Sequence, residues 1–283
     1  MRNSETSHYI AEICPVFDEQ GRSLIGQEQP SSPEQANLPK GVLIVICGKP
    51  GVGKTLTAEN FARINGLEEP LTIGRLIRKW MKIHPEAMSL DPSKRSPKLD
   101  RRADELAINE MLNYPEDGPP RVIESDLGVW QAGEAIRRGL NPRRVITVKL
   151  DAGPGPTGIR ALKREKAQDP TALDPEKATP LDIEAAYNRT LKRNEADMTN
   201  WEKVYKEEVG YPYDDSRFDA LINTDNHIEG DNKSNIHEVS KAIKRAVEFV
   251  LAARDKSNEG NISTLGTEHH INPGKRRKLP KAS

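Results

Sequence analysis

The sequence predicts a three-layer α/β domain, a parallel sheet of about five strands with helices on both faces. Three observations carry that prediction. From residue 41 onward, short β-branched runs alternate with helical periodicities, the pattern of strands joined by crossover helices. One of those runs, VLIVIC at 42–47, contains only apolar side chains, as a strand covered on both faces requires. A long amphipathic segment, NIHEVSKAIKRAVEFVLAAR, closes the pattern with Ile236, Val239, Ile243, Val247, Val250 and Leu251 on one helical face.

The elements follow in order. After the 42–47 strand, KTLTAENFARIN carries Leu56, Ala58, Phe61, Ala62 and Ile64 at the spacing of one helix face. PLTIGRLIRKWMKI begins as a short extended piece and turns helical at Gly74. LDRRADELAINEML is a further helix, stopped by NYPEDGPP. RVIESD gives a strand of about four residues, and LGVWQAGEAIRRG a helix that ends at Gly139. RRVITVKL is the second clearly buried strand. A charged helical stretch over about 159–205 is interrupted by QDPTALDPEKATP and so reads as two arms. FDALINTD is the last strand, and in the closing helix Asn235, with Glu238 three residues on, reads as the N-terminal cap.

The folded unit spans residues 41–254 of the 283. Residues 1–40 read as a polar, largely disordered extension ending in EQPSSPEQANLPKG, within which YIAEICPVFDEQGRSLIG allows a strand pair turning at 18–21. Residues 255–283 read as a disordered tail. Its basic cluster, KRRKLPK at 275–281, fits nucleic-acid contact or a solvated tail end, and the second is the plainer reading. Lys+Arg and Asp+Glu balance at 43 each, so net charge argues for neither nucleic acid nor a membrane. Cys14 and Cys47 are too few and too far apart for a disulfide framework or a zinc site. MRNSETSHYI lacks the apolar core of a signal peptide, and no apolar run is long enough to span a bilayer. Together these predict a cytoplasmic protein. The six histidines show no ligand spacing; Trp80, Trp130 and Trp201 read as packing residues; and nothing in the sequence fixes an oligomeric state.

The chemistry starts where the first strand ends. Gly48, Lys49, Pro50, Gly51, Val52, Gly53, Lys54 and Thr55 fit G-x-x-x-x-G-K-[ST] in full, between an apolar strand and a helix, as that motif demands. Glycines let the backbone turn tightly and aim successive N–H groups at phosphate oxygens, and the following helix, opening at Lys54–Leu56, points its positive end at the same anion. Lys54 would reach the β- and γ-phosphates of ATP, and the Thr55 hydroxyl would ligate Mg²⁺. This predicts a P-loop NTPase fold.

Further segments resemble one P-loop family, the cytidylate (CMP) kinases in their short archaeal-type form, over about residues 41–251. The P-loop itself is similar to that family's, although the Pro-Gly variant also occurs in adenylate kinases and AAA-type ATPases. TIGRLIRKW resembles the family segment with a Gly and an Arg four residues later, here Gly74 and Arg78. LDRRADELA resembles a family helix almost letter for letter, VIESDLGVW the strand and turn that precede a family tryptophan, and NRTLKRNEADMTNWEKVYKEEVGYPYDDSRFDALINTD the lid-to-last-strand region. The resemblance implies a helical lid and Mg²⁺- and ATP-dependent phosphorylation of a nucleoside monophosphate, CMP or dCMP first. It makes Arg78 the ligand of the acceptor phosphate, with Arg101 a candidate for the same site. It makes Arg160, Lys163 and Arg193 the lid cations that close over the transferring phosphoryl, where converging positive charge and exclusion of water are needed.

Two departures stand out. The family's Gly-Arg turn is Ser125-Asp126 here, which reverses a charge at the acceptor side. Asp126 fits either a strand-end carboxylate for Mg²⁺ or an acceptor contact, or a cap on the helix LGVWQAGEAI. In the second lid arm EADMTNW stands where the family is denser in arginine. Two other readings therefore stand beside the kinase: a catalytically weakened ATP-binding module that acts as a switch, and another P-loop ATPase.

Overall fold

A computed structural model describes residues 9–11, 38–76, 97–205, 210–225 and 233–261; for 9–11, 97–99, 233–236 and 256–261 it describes the backbone alone. The strands are β1 (Tyr9–Ala11), β2 (Leu43–Cys47), β3 (Leu71–Thr72), β4 (Arg121–Glu124), β5 (Val145–Asp151) and β6 (Ala220–Asn223). The helices are α1 (Lys54–Ile64), α2 (Pro97–Leu112), α3 (Gly128–Arg137), α4 (Pro154–Gln168), α5 (Pro180–Tyr205) and α6 (Lys233–Asn261). All the strands run parallel in one sheet of order β1-β6-β5-β2-β4-β3.

The side-chain alternation of β2 explains the three layers. Ile44 and Ile46 join Ala58 and Phe61 of α1 and Ile243 and Val247 of α6 in one core. Leu43, Val45 and Cys47 point the other way, into a second core with Ile108 and Met111 of α2, Trp130 of α3, and Trp201 of α5. All five β2 residues are buried, which is why that strand reads as an unbroken apolar run. On the second face the approach is close: a Cβ on Gly128 would lie 2.6 Å from Val45 Cγ1 and 2.7 Å from Cys47 Sγ, so α3 lies directly on β2. Burial pushes the Cys47 thiol up to about 12.

The central position of β2 matters for function. The chain leaves β2 for the β3–β4 side of the sheet and later returns to build β5 and β6 on the other. Loops after the strands therefore diverge at its carboxyl end, the position where open α/β sheets bind ligands.

Several expectations change. The expected parallel sheet is present, with six strands among the described residues. The sixth comes from the N-terminal extension, where Tyr9–Ala11 pairs in parallel with β6 instead of forming half of a hairpin; the turn expected at 18–21 lies outside the described residues. The last helix starts at Lys233, which places Asn235 inside it rather than at its cap, and it continues to Asn261, past the expected end at Arg254. Val239, Ile243 and Val247 form its buried face as expected. Trp130 and Trp201 are buried and packed; Trp80, the histidine pair of the tail and the basic cluster 275–281 lie outside the described residues. Among the described residues no helix is long and apolar enough to cross a membrane.

Candidate phosphate-binding active site

The loop between β2 and α1 has the backbone of an anion cradle. Gly48, Gly51 and Gly53 have φ of 145°, 86° and 91°, a region L side chains rarely adopt. At Gly51 space forbids a side chain as well, since a Cβ would meet Thr157 Cγ2 of α4 at 2.8 Å and Thr190 Cγ2 of α5 at 3.4 Å. Gly53 is the N-cap of α1 and offers no side-chain cap, so no side-chain cap closes off the first N–H groups of that helix from an anion.

Each motif residue has a definite place. Lys54 is buried; its Nζ donates to Lys49 O at 3.0 Å and pairs with Asp126 Oδ1 at 2.7 Å. Thr55 Oγ1 lies 3.4 Å from Glu124 Oε2, the carboxylate that ends β4. Val52 is buried, and its carbonyl oxygen accepts from Thr224 Oγ1 at 3.0 Å and from the Arg160 guanidinium at 3.1 Å. Lys49 and Pro50 border a cleft completed by Tyr187, Thr190 and Asn194 of α5. Leu56 is exposed at a second shallow cleft, with Thr57, Asn60, Arg160 and Thr224.

Helices α4 and α5 roof the loop. Their connection is locally encoded: Thr179, Pro180 and Asp182 form a capping box, with Thr179 N donating to Asp182 Oδ2 at 2.9 Å and Asp182 N to Thr179 Oγ1 at 3.3 Å. Gly158 lets the two helices touch, because a Cβ there would meet Ile183 O at 2.3 Å. Arg160 donates twice to Thr224, to Oγ1 at 3.2 Å and to the carbonyl oxygen at 2.7 Å. One turn on, Arg164 is driven below its ordinary range by burial and then by the positive charge of Arg193 on α5. Arg193 itself stands 3.7 Å from Asp197 Oδ2. Lys163 is exposed on α4.

The residues that the resemblance assigns to an acceptor have other surroundings here. Gly74 is half-buried in the helical turn after β3, and Arg78 lies outside the described residues. Arg101 donates to Val204 O at 2.7 Å, fastening the last turn of α5 to α2. Asp126 does not cap α3: Leu127 holds the N-cap position with no side-chain bond, and the Asp126 carboxylate is drawn to the buried ammonium of Lys54 instead. The sparse arginine of EADMTNW also has a physical reason. Asp197, Asn200 and Trp201 are buried, and Asn200 Nδ2 donates to Asp100 Oδ2, so this part of α5 is spent on contact with α2. Below it, Tyr205 Oη and Gln131 Nε2 both donate to buried Asp104, whose carboxyl is raised to about 7 by burial against those two bonds.

Four residues of the site were not singled out from the sequence. Glu124 and Thr224 sit inside quoted segments, VIESD and INTD, and a strand-end carboxylate facing Thr55 was the available signal. Arg164 lies four residues after Arg160, on the same helix face, which spacing alone could have exposed. Tyr213, buried with its hydroxyl unpartnered among the described residues, gave no local signal.

No family model matches the chain, and no curated protein is similar to it in sequence. Some solved structures are similar to it in part, each at a TM-score below 0.5. An uncharacterized protein from Eubacterium ventriosum is similar at 15% identity and a TM-score of 0.45, over 73% of this chain and 98% of that one. A gluconokinase from Sinorhizobium meliloti is similar at 12% identity and a TM-score of 0.43, over 80% of this chain and 100% of that one. A shikimate kinase from Bacteroides thetaiotaomicron is similar at 14% identity and a TM-score of 0.40, over 73% and 98%.

Proposed function

We propose that this protein transfers the γ-phosphoryl group of ATP to a nucleoside monophosphate, with CMP or dCMP as the first acceptors to test. The observation that carries the reading is the phosphate loop itself: three glycines at positive φ, an α1 N-terminus without a side-chain cap, and Lys54 buried in its first turn. Lys54 and the α1 N–H groups would hold the β- and γ-phosphates from below, and α4 and α5, which carry Arg160, Arg164 and Arg193, lie over the loop as a roof. Thr55 and Glu124 suit one Mg²⁺ through the hydroxyl and an outer carboxylate, since this ion takes few protein ligands and keeps phosphate oxygens and waters. Bound there, the ion would neutralise charge on the transferring group.

The switch reading has its own support in the Lys54–Asp126 ion pair, because a nucleotide must draw that lysine away from its carboxylate. A coupled assay separates the two. With Mg·ATP and a panel of nucleoside monophosphates, the kinase should release ADP faster than with ATP alone and make the diphosphate in equal amount, and Lys54→Ala should lose both products together. A flat response to every monophosphate, in protein that binds ATP, would refute the nucleoside monophosphate kinase reading.

A further inference from the structure

β3 is two residues long, and its register with β4 sets Leu71 beside Ile123 and Thr72 beside Glu124. Leu71 and Ile123 pack in the second core, whereas Val122 joins Phe61 of α1 in the first. By alternation Glu124 and its strand neighbour Thr72 share the α1 face with Val122. Adjacent strands lie about 4.8 Å apart, so the two side chains are immediate neighbours. Glu124 is buried and also faces Thr55 at the start of α1, with 3.4 Å between Oε2 and Thr55 Oγ1. Two hydroxyls, one from β3 and one from α1, therefore flank one carboxylate. Thr72 is 4% exposed, and its Oγ1 has no hydrogen-bond partner among the described residues. Sealing off an unpaired hydroxyl is unfavourable, and a valine would fill the same place in a buried strand without that cost.

We infer that Thr72 supplies a third oxygen to the Mg²⁺ site of Thr55 and Glu124, where it holds the ion's water shell. The inference rests on the nucleotide- and metal-binding part of the proposed function. Mg²⁺ bound through few protein ligands keeps several waters, and each of those waters has two hydrogens that need acceptors. The Glu124 carboxylate takes one hydrogen of such a water, and the Thr72 hydroxyl oxygen beside it takes the other. A water held from both strands is fixed in place, and partners one atom removed from a metal orient it in this way. Thr72 is thus a positioning residue that touches neither the ion nor the nucleotide.

Calorimetry with a non-hydrolysable ATP analogue, in Mg²⁺ and in chelator, tests this without needing turnover. Thr72→Val keeps the shape and removes the hydroxyl. It should weaken binding in Mg²⁺ by about tenfold and leave binding in chelator near wild type. Thr72→Ser, which keeps the hydroxyl, should recover most of the loss. Without nucleotide, Thr72→Val should melt at or above the wild-type temperature, since an unpaired hydroxyl has been removed. Equal losses in Mg²⁺ and chelator, no loss in either, or a Thr72→Val protein that melts well below wild type overturns the inference, even if acceptor phosphorylation is observed. Failure of every acceptor in the kinase assay, with the Mg²⁺-specific loss intact, overturns the phosphoryl-transfer reading alone. Wild-type protein that binds no nucleotide overturns both.

Discussion

The Arg160 guanidinium and Thr224 are joined twice, and both also hold the Val52 carbonyl oxygen, so the end of β6, helix α4 and the phosphate loop meet at one knot. The planar fork of arginine is what allows three acceptors to be reached together. Arg160→Lys should therefore fail as a conservative change. We expect about 1–3 kcal/mol of stability to be lost, measured by urea unfolding, and nucleotide affinity to fall with it because the loop loses its brace.

Glu124→Gln keeps size and burial while removing the charge opposite Thr55. Outer partners of a metal site are typically worth 10–100-fold, so affinity for Mg·ATP should drop by about tenfold or more. Affinity for ATP in chelator should stay near wild type. Equal losses with and without Mg²⁺ would show that Glu124 supports the loop and has no part in the metal site.

Asp104 gives stability a pH dependence whose sign is fixed. Its carboxyl titrates near 7 in the folded chain, above the ordinary value of 3.8 that it regains on unfolding. Folding therefore binds a proton between these values, and the contribution, fully present below about pH 4, is lost as pH rises through 7. The difference is on the order of 4 kcal/mol. Melting curves at pH 5 to 8 should fall more steeply with pH for wild type than for Asp104→Asn, which has no proton to release.

Gly158→Ala puts a methyl group into the Ile183 carbonyl, a backbone atom that cannot step aside. The two roof helices must separate, at about 1–3 kcal/mol by the usual cost of overpacking. Nucleotide affinity should fall too, as the roof over the loop shifts, whereas Gly155→Ala, facing open space on the same helix, should leave both measurements near wild type.

Legibility in the sequence tracked the distance over which the information is written. The phosphate loop needs eight consecutive residues, and VLIVIC, RVIE and VITVKL are strands by composition, so all were readable locally. The break between α4 and α5 was readable from its prolines and aspartates. The surroundings of Arg101 and Asp126 were not, because they are assembled by long-range contacts: Arg101 with Val204, Asp104 with Tyr205, and Lys54 with Asp126. Asp126 had several sequence readings, and only the position of the Lys54 ammonium excluded the helix cap. β1 was missed as a sheet strand because Tyr9–Ala11 contributes three residues whose partner, β6, is some two hundred positions away.

Cys47 carries a consequence for the rest of α3. A thiol sealed under Gly128 and pushed up to about 12 has almost no thiolate at neutral pH, so an alkylating reagent finds nothing to attack while the helix is seated. Cys47 is the only cysteine among the described residues. Its labelling rate is thus a clock for the lifting of α3 from the central strand, with the second hand supplied by the protein itself. A nucleotide bound in the loop that follows Cys47 should slow that clock, and mass spectrometry of the peptide containing Cys47 can read the time.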